Sequence, residues 1–167
     1  MDGILVRNAA RGDLPQLTGL YNHFVTTSPV TFDTEPASIE SRRQWMDRYA
    51  ETGPHRLLVA VEGDAIVGYV TSGKLREKPA YLTSVETTVY VHPDHHARRI
   101  GTRLYAALFA ALATEDVHRA YAGIVLPNAA SSALHARFGF QAIGVYREVG
   151  RKFGRYWDVA WFERPLP

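Results

Sequence analysis

The sequence predicts a mixed α/β fold, one sheet covered by helices on both faces, and three observations carry that prediction. Strand-type and helix-type runs alternate along the chain instead of segregating. Residues 57–61 and 66–71 are apolar β runs joined by Glu62-Gly63-Asp64, a hairpin turn signal. Around residues 101–115, apolar side chains recur every fourth position at Ile100, Leu104, Leu108 and Leu112, with Tyr105 and Phe109 beside them. That spacing gives a helix one apolar stripe to set against a sheet.

Taken in order, residues 4–8 form a short strand. Asp13 is placed to cap a helix running to about residue 26, with Leu14, Leu17, Leu20, Tyr21 and Phe24 on one face. A loop follows, Ser28-Pro29-Val30-Thr31-Phe32-Asp33-Thr34-Glu35-Pro36, in which prolines flank a lone aromatic. Ser38 opens a second helix to about residue 50, carrying Ile39, Trp45, Met46 and Tyr49. After the hairpin, residues 81–91 make a longer strand of alternating character, and a positively charged turn leads from it into helix 101–115. Residues 120–125 read as a buried strand. Asn128 caps a short helix to about residue 138, where Gly139 supplies a left-handed C′ residue. Strands 141–148 and 157–163 end the chain, with 151–155 between them as a polar turn holding Gly154. The predicted order is β-α-α-β-β-β-α-β-α-β-β, in a single domain spanning residues 1–167.

Composition narrows the function. With 167 residues, 46% hydrophobic and 11% aromatic, the chain buries a real core and is too apolar for disorder. A net charge of +2, with acidic residues spread among the basic ones, argues against a nucleic-acid partner. The absence of cysteine excludes disulfides, thiolate metal sites and a cysteine nucleophile. No apolar signal-peptide core stands near the N-terminus and no run is long enough to span a bilayer, so a cytoplasmic protein without a membrane partner is expected. His92, His95 and His96 sit on a Pro/Asp turn with no carboxylate at helical ligand spacing, and no metal is expected there.

The stretch from Val89 to Leu104 is the most informative. A strand, a basic turn and a helix start make an anion cradle, because the first amides of a helix lack internal partners and the macrodipole places about half a positive charge there. A phosphate or pyrophosphate satisfies both deficits. Arg98, Arg99 and Arg103 oppose the dipole unless an anion lies between them, which again favours a phosphate-bearing cofactor.

The motifs around this cradle carry a family resemblance. His96-Ala97-Arg98-Arg99-Ile100-Gly101 is similar to the Gln/Arg-x-x-Gly-x-Gly/Ala loop of the GNAT N-acetyltransferase superfamily, with Arg99 in place of the first Gly. Upstream, Ser84-Val85-Glu86-Thr87-Thr88-Val89-Tyr90-Val91 resembles the Val-Glu-x-Ser/Thr-Val-Tyr-Val strand of its phosphinothricin and methionine sulfoximine acetyltransferase branch. Downstream, the segment from Asn128 through Leu134-His135 to Gly139-Phe140 is similar to that branch's Asn-x-x-Ser-x-x-Leu-His-x-x-x-Gly-Phe. Tyr21-Asn22-His23, Thr31-Phe32-Asp33-Thr34-Glu35-Pro36 and Gly150-Arg151-Lys152-Phe153-Gly154-Arg155 extend the likeness over nearly the whole chain.

The resemblance implies a GNAT-like acyl-CoA N-acyltransferase fold and acetyl-CoA as co-substrate. It implies transfer of acetyl to the α-amine of a small glutamate-like analogue, by direct attack in a ternary complex. Glu86 is then the general base; by itself it reads equally as a strand glutamate facing solvent or paired with an arginine. The resemblance places the pantetheine arm against Val89, Tyr90 and Val91, and the pyrophosphate on His96, Ala97, Arg98, Arg99, Ile100, Gly101 and Thr102, with Arg99 in a helical conformation. Asn128, already a good N-cap, would also bond the pantetheine, and His135 would return a proton to the thiolate, although a lone helical histidine is more often structural. Phe32, Arg76, Glu86 and Thr87, with Tyr81 beside them, would form the acceptor pocket. An Arg76 fork suits a carboxylate or phosphinate, but reads equally as an exposed hairpin arginine. Leu75 stands where relatives carry Trp, which leaves open another amino acid, a polyamine or a protein N-terminus as acceptor. Relatives in this branch pair, so a homodimer is expected. The alternative from a different class is an acyl-CoA-binding module without turnover.

Overall fold

The structure, a computed structural model, describes residues 3–95 and 98–167. A seven-stranded sheet runs in the order β1-β2-β3-β4-β5-β7-β6. Strands β1 (Ile4–Asn8), β2 (Arg56–Glu62), β3 (Ala65–Lys74) and β4 (Ser84–Val91) are antiparallel neighbours. Strand β5 (Arg119–Val125) lies parallel to β4, and β7 (Arg155–Pro165) pairs antiparallel with both β5 and the edge strand β6 (Gln141–Lys152). A parallel pair needs a crossover, and α3 (Ile100–Leu112) supplies it.

Period-two alternation in the central strands builds a core on each face. Leu57, Val59 and Tyr69 pack with Leu17 and Leu20 of α1 (Leu14–Thr27) and with Trp45 and Met46 of α2 (Ile39–Met46). Their neighbours Leu58, Ala60, Val70 and Val85 face Ile100, Leu104 and Leu108 of α3, with Leu134 of α4 (Ala129–Arg137) against the same cluster. Gly68 allows the close approach of α3: a Cβ there would lie 2.8 Å from the Tyr90 carbonyl oxygen and 3.2 Å from side-chain atoms of Ile100 and Leu104.

The predicted order of elements is the observed one, with corrections at boundaries. Asp13 gives α1 no side-chain cap, because its carboxylate accepts hydrogen bonds from Arg7 at 2.7 and 2.9 Å and from the Ala10 amide at 2.7 Å. Ser38 does cap α2, accepting from the Ser41 amide at 3.1 Å. That helix stops at Met46, as the Arg48 and Tyr49 amides turn back to carbonyls only three residues earlier. Pro79 opens a 3-10 turn through Tyr81, so β4 starts at Ser84. The final hairpin turn is only Phe153-Gly154, both with positive φ (53° and 74°), a geometry that lets long strands continue with matched twist.

Candidate active site

Strands β4 and β5 pair only at Ser84–Glu86 against Arg119–Tyr121. Beyond Tyr121, β5 continues along β7 to Val125, while residues 87–91 of β4 have no strand partner on that side among the described residues. A wedge therefore opens immediately after Glu86. An extended chain of amides laid there can complete the sheet as a missing strand does.

The far end of the wedge meets the start of α3. Arg103 donates its amide to the Arg99 carbonyl at 3.0 Å, so the preceding first-turn amides have no helical acceptor, and the turn carries no acidic side chain. Arg99 is not helical: it adopts φ 56° and ψ 24°, the left-handed conformation that the family glycine would take without cost. Gly101 packs closely under α4, where a Cβ would stand 2.9 Å from Leu134 Cδ2 and make that side chain shift. The Ile100 side chain is buried in the α3 core, leaving its backbone for the cradle. Arg98 forks onto Glu62 with both contacts at 2.7 Å, and Arg103 reaches the Ile4 carbonyl at 3.3 Å. His96 and Ala97, two of the expected cofactor residues, lie outside the described residues.

Glu86 projects with Thr88 and Tyr90 toward the α1/α2 face, opposite to Val85 and Thr87. Gly73 pairs directly across from it, and the Tyr49 hydroxyl packs where a Gly73 side chain would begin, 3.5 Å from that Cβ position. Burial pushes its carboxyl above the ordinary value of 4.5, and the Arg76 guanidinium partly opposes that rise. Arg76 itself is exposed, in the loop after β3, with its guanidinium on the Leu75 carbonyl at 2.7 Å.

On the same face a cavity of about 370 Å³ lies along β4 and β3, lined by Thr88, Tyr90, Tyr69 and Thr71 and closed by α1 and α2 through Tyr21, Arg42 and Trp45. Sequence reasoning missed Arg42. Its signal was the spacing to Trp45, three residues on, which stacks a guanidinium on an indole along one helix face. Phe32, expected in the acceptor pocket, meets β6. Its ring rests on Gly150 of β6, where a Cβ would come within 2.2 Å of the ring, and buried Lys152 pins the same loop by donating to the Ser28 and Thr31 carbonyls at 2.8 Å each.

The opposite face of β4 holds a closed polar chain. His135 donates from Nδ1 to the Ser131 carbonyl at 2.7 Å, so Nε2 accepts from the Tyr105 hydroxyl, also at 2.7 Å. Thr87 Oγ1 stands 3.1 Å from the Tyr105 oxygen and 3.3 Å from the Tyr121 carbonyl. His135 is 3% exposed, ringed by Tyr105, Phe140 and Phe162, and burial lowers its pKa from 6.5. His135, expected as a proton donor, and Thr87, expected in the acceptor pocket, are thus both joined in internal hydrogen bonds on the face of β4 opposite Glu86. Asn128 caps α4, its Oδ1 accepting from the Ser131 amide at 3.0 Å.

Comparison with known proteins agrees with this geometry. The acetyltransferase (GNAT) domain model matches residues 6–161. The chain is 61% identical to a phosphinothricin N-acetyltransferase of Streptomyces coelicolor, over 98% of this chain and 96% of that protein. It is 31% identical to an L-methionine sulfoximine/L-methionine sulfone acetyltransferase of Pseudomonas aeruginosa, over 96% and 94%. The crystal structure of a phosphinothricin acetyltransferase from Sinorhizobium meliloti in complex with acetyl-CoA superposes with a TM-score of 0.92 at 27% identity, covering 98% of this chain and 89% of that one. A sheet that parts beside a half-buried glutamate, a closely packed helix start at Gly101 and these matches together establish that the chain belongs to the GNAT acetyltransferase family.

Proposed function

We propose that the protein acetylates the α-amine of a small glutamate-like amino acid analogue, of the phosphinothricin or methionine sulfoximine type, with acetyl-CoA as donor. The observation that carries this reading is the parting of β4 from β5 directly beyond Glu86, whose carboxyl is raised by burial. Acetyl-CoA supplies an activated thioester carbonyl. The β4 backbone at Val89, Tyr90 and Val91 binds the pantetheine arm as an added strand, and the Val89 amide faces the developing oxyanion. The bare first-turn amides of α3 at Ile100, Gly101 and Thr102, with Arg98 and Arg99 nearby, hold the pyrophosphate. Asn128 stands at the start of α4 as a further polar contact.

Glu86 takes the proton from the acceptor ammonium, directly or through one water, which frees the amine lone pair for attack. An amine with an ordinary pKa near ~10 is mostly protonated at neutral pH, so this step is obligatory there. The amine attacks the thioester carbonyl directly, the C–S bond breaks, and CoA leaves as a thiolate that is protonated from solvent while the nitrogen gives up its second proton to water; no cysteine exists to carry an acyl intermediate. Arg76, close enough to Glu86 to oppose the rise of its pKa, binds the acceptor carboxylate beside the amine. Thiol release measured across an amine panel tests the reading. Turnover with phosphinothricin and methionine sulfone, and none with polyamines, is expected; turnover only with polyamines or peptide N-termini contradicts it.

The protein is further proposed to act as a homodimer through β6. This strand is the sheet edge, and Ile143, Val145, Tyr146 and Val149 are each at least 43% exposed along it. Light scattering should give twice the 18.7 kDa chain mass; the monomer mass contradicts the dimer.

A further inference from the structure

Arg42 is 4% exposed, yet no carboxylate pairs with it among the described residues. Its guanidinium is clamped between the Trp45 ring, 3.5 Å from the centroid, and the Tyr21 ring at 4.3 Å. Its Nε and Nη2 are buried without a hydrogen-bond partner. A buried charge in this state is costly unless something compensates it. The rings hold the cation in place but leave its charge unneutralised, on the wall of the 370 Å³ cavity.

We infer that Arg42 is the specificity residue for an anionic side-chain terminus of the acceptor, a phosphinate or carboxylate that enters this cavity while the amine stays at Glu86. The inference rests on the acceptor reading above and deepens it. Thr88 and Tyr90, the cavity residues of β4, lie on the Glu86 face and succeed it at the two-residue repeat of a strand, about 7 Å apiece. A glutamate-like molecule therefore has one anion for Arg76 at its α-carbon and another for Arg42 deeper along the strand. Asp33 also lines the cavity, but it is exposed and engaged by the Tyr21 hydroxyl, and Arg48 on the same wall offsets its charge. The cavity is thus net positive, with its least solvated charge at Arg42.

The test compares two acceptors that share the α-amino acid head. Phosphinothricin ends in an anionic methylphosphinate, and methionine sulfone ends in a neutral polar group. Arg42→Gln should raise KM for phosphinothricin roughly 10- to 100-fold, the loss expected for a charge-assisted contact, while KM for methionine sulfone moves less than threefold. Arg42→Lys keeps the charge without the fork and should fall between. Thermal shift with acetyl-CoA confirms that each variant is folded. An unchanged ratio of the two KM values, whether both rise or neither does, overturns the assignment. Failure of the wild-type protein to acetylate either compound would instead overturn the acceptor reading.

Discussion

The two faces of β4 bury polar groups in opposite ways. Toward α3 and α4, Thr87, Tyr105 and His135 are joined in one chain of hydrogen bonds that ends on the Ser131 and Tyr121 carbonyls. Toward α1 and α2, the Glu86 carboxyl feels the opposing field of Arg76, and Arg42 has aromatic rings but no counter-ion among the described residues. Both faces contain residues that a sequence search for acid–base chemistry selects. Only one leaves their valences unfilled. Satisfied burial fixes structure, and unsatisfied burial beside a cavity is where a ligand completes the network.

Five substitutions break or sharpen that contrast, from the largest effect to the smallest. Glu86→Gln should lower kcat/KM at neutral pH by about 10²- to 10⁴-fold, the range for a lost general base, with no loss of melting temperature. Arg76→Ala should raise KM for acidic amino acids roughly tenfold. It should also move the acid limb of kcat/KM to higher pH, because the guanidinium now opposes the upward shift of Glu86. A limb that stays in place would separate Arg76 from Glu86.

On the closed face, Tyr105→Phe should cost about 1–3 kcal/mol by leaving His135 Nε2 without its donor, while kcat/KM per folded molecule changes little. Denaturant unfolding and kinetics on one preparation check both halves. The same face carries a pH signature. The folded His135 pKa lies below its unfolded value of 6.5, so the unfolded chain binds the extra proton first. Stability should be full above that value and fall as pH drops below it, by up to about 1.4 kcal/mol per pH unit. His135→Asn should flatten this part of the curve. The smallest effect is Arg99→Gly, which should add about 1 kcal/mol of stability by relieving the left-handed backbone while weakening acetyl-CoA binding.

Much of the fold was legible from local chemistry. Ser38, Asn128 and Gly139 did what their positions in the sequence imply, and the alternation of β4 correctly set Glu86 against Thr87. Tertiary competition hid the rest. Asp13 was taken by Arg7, a partner on β1 that no capping rule anticipates. His135 lies on a helix whose burial depends on α3 and β7, so one helical wheel cannot say whether its imidazole meets solvent or Tyr105. Arg99 yielded to the turn that the cradle demands, against its own backbone preference. Arg42 escaped notice because a lone arginine on a polar helix reads as solvated; only the rings of Tyr21 and Trp45, from two helices, reveal it as buried.

The pH dependence of kcat/KM for wild type and Glu86→Gln tests most directly whether Glu86 removes the acceptor proton. The wild-type rate should rise as the burial-raised carboxyl ionises, and the gap to the variant should narrow at high pH, where the amine loses its proton unaided. A gap that stays constant from acid to base would make Glu86 a structural residue and contradict the account.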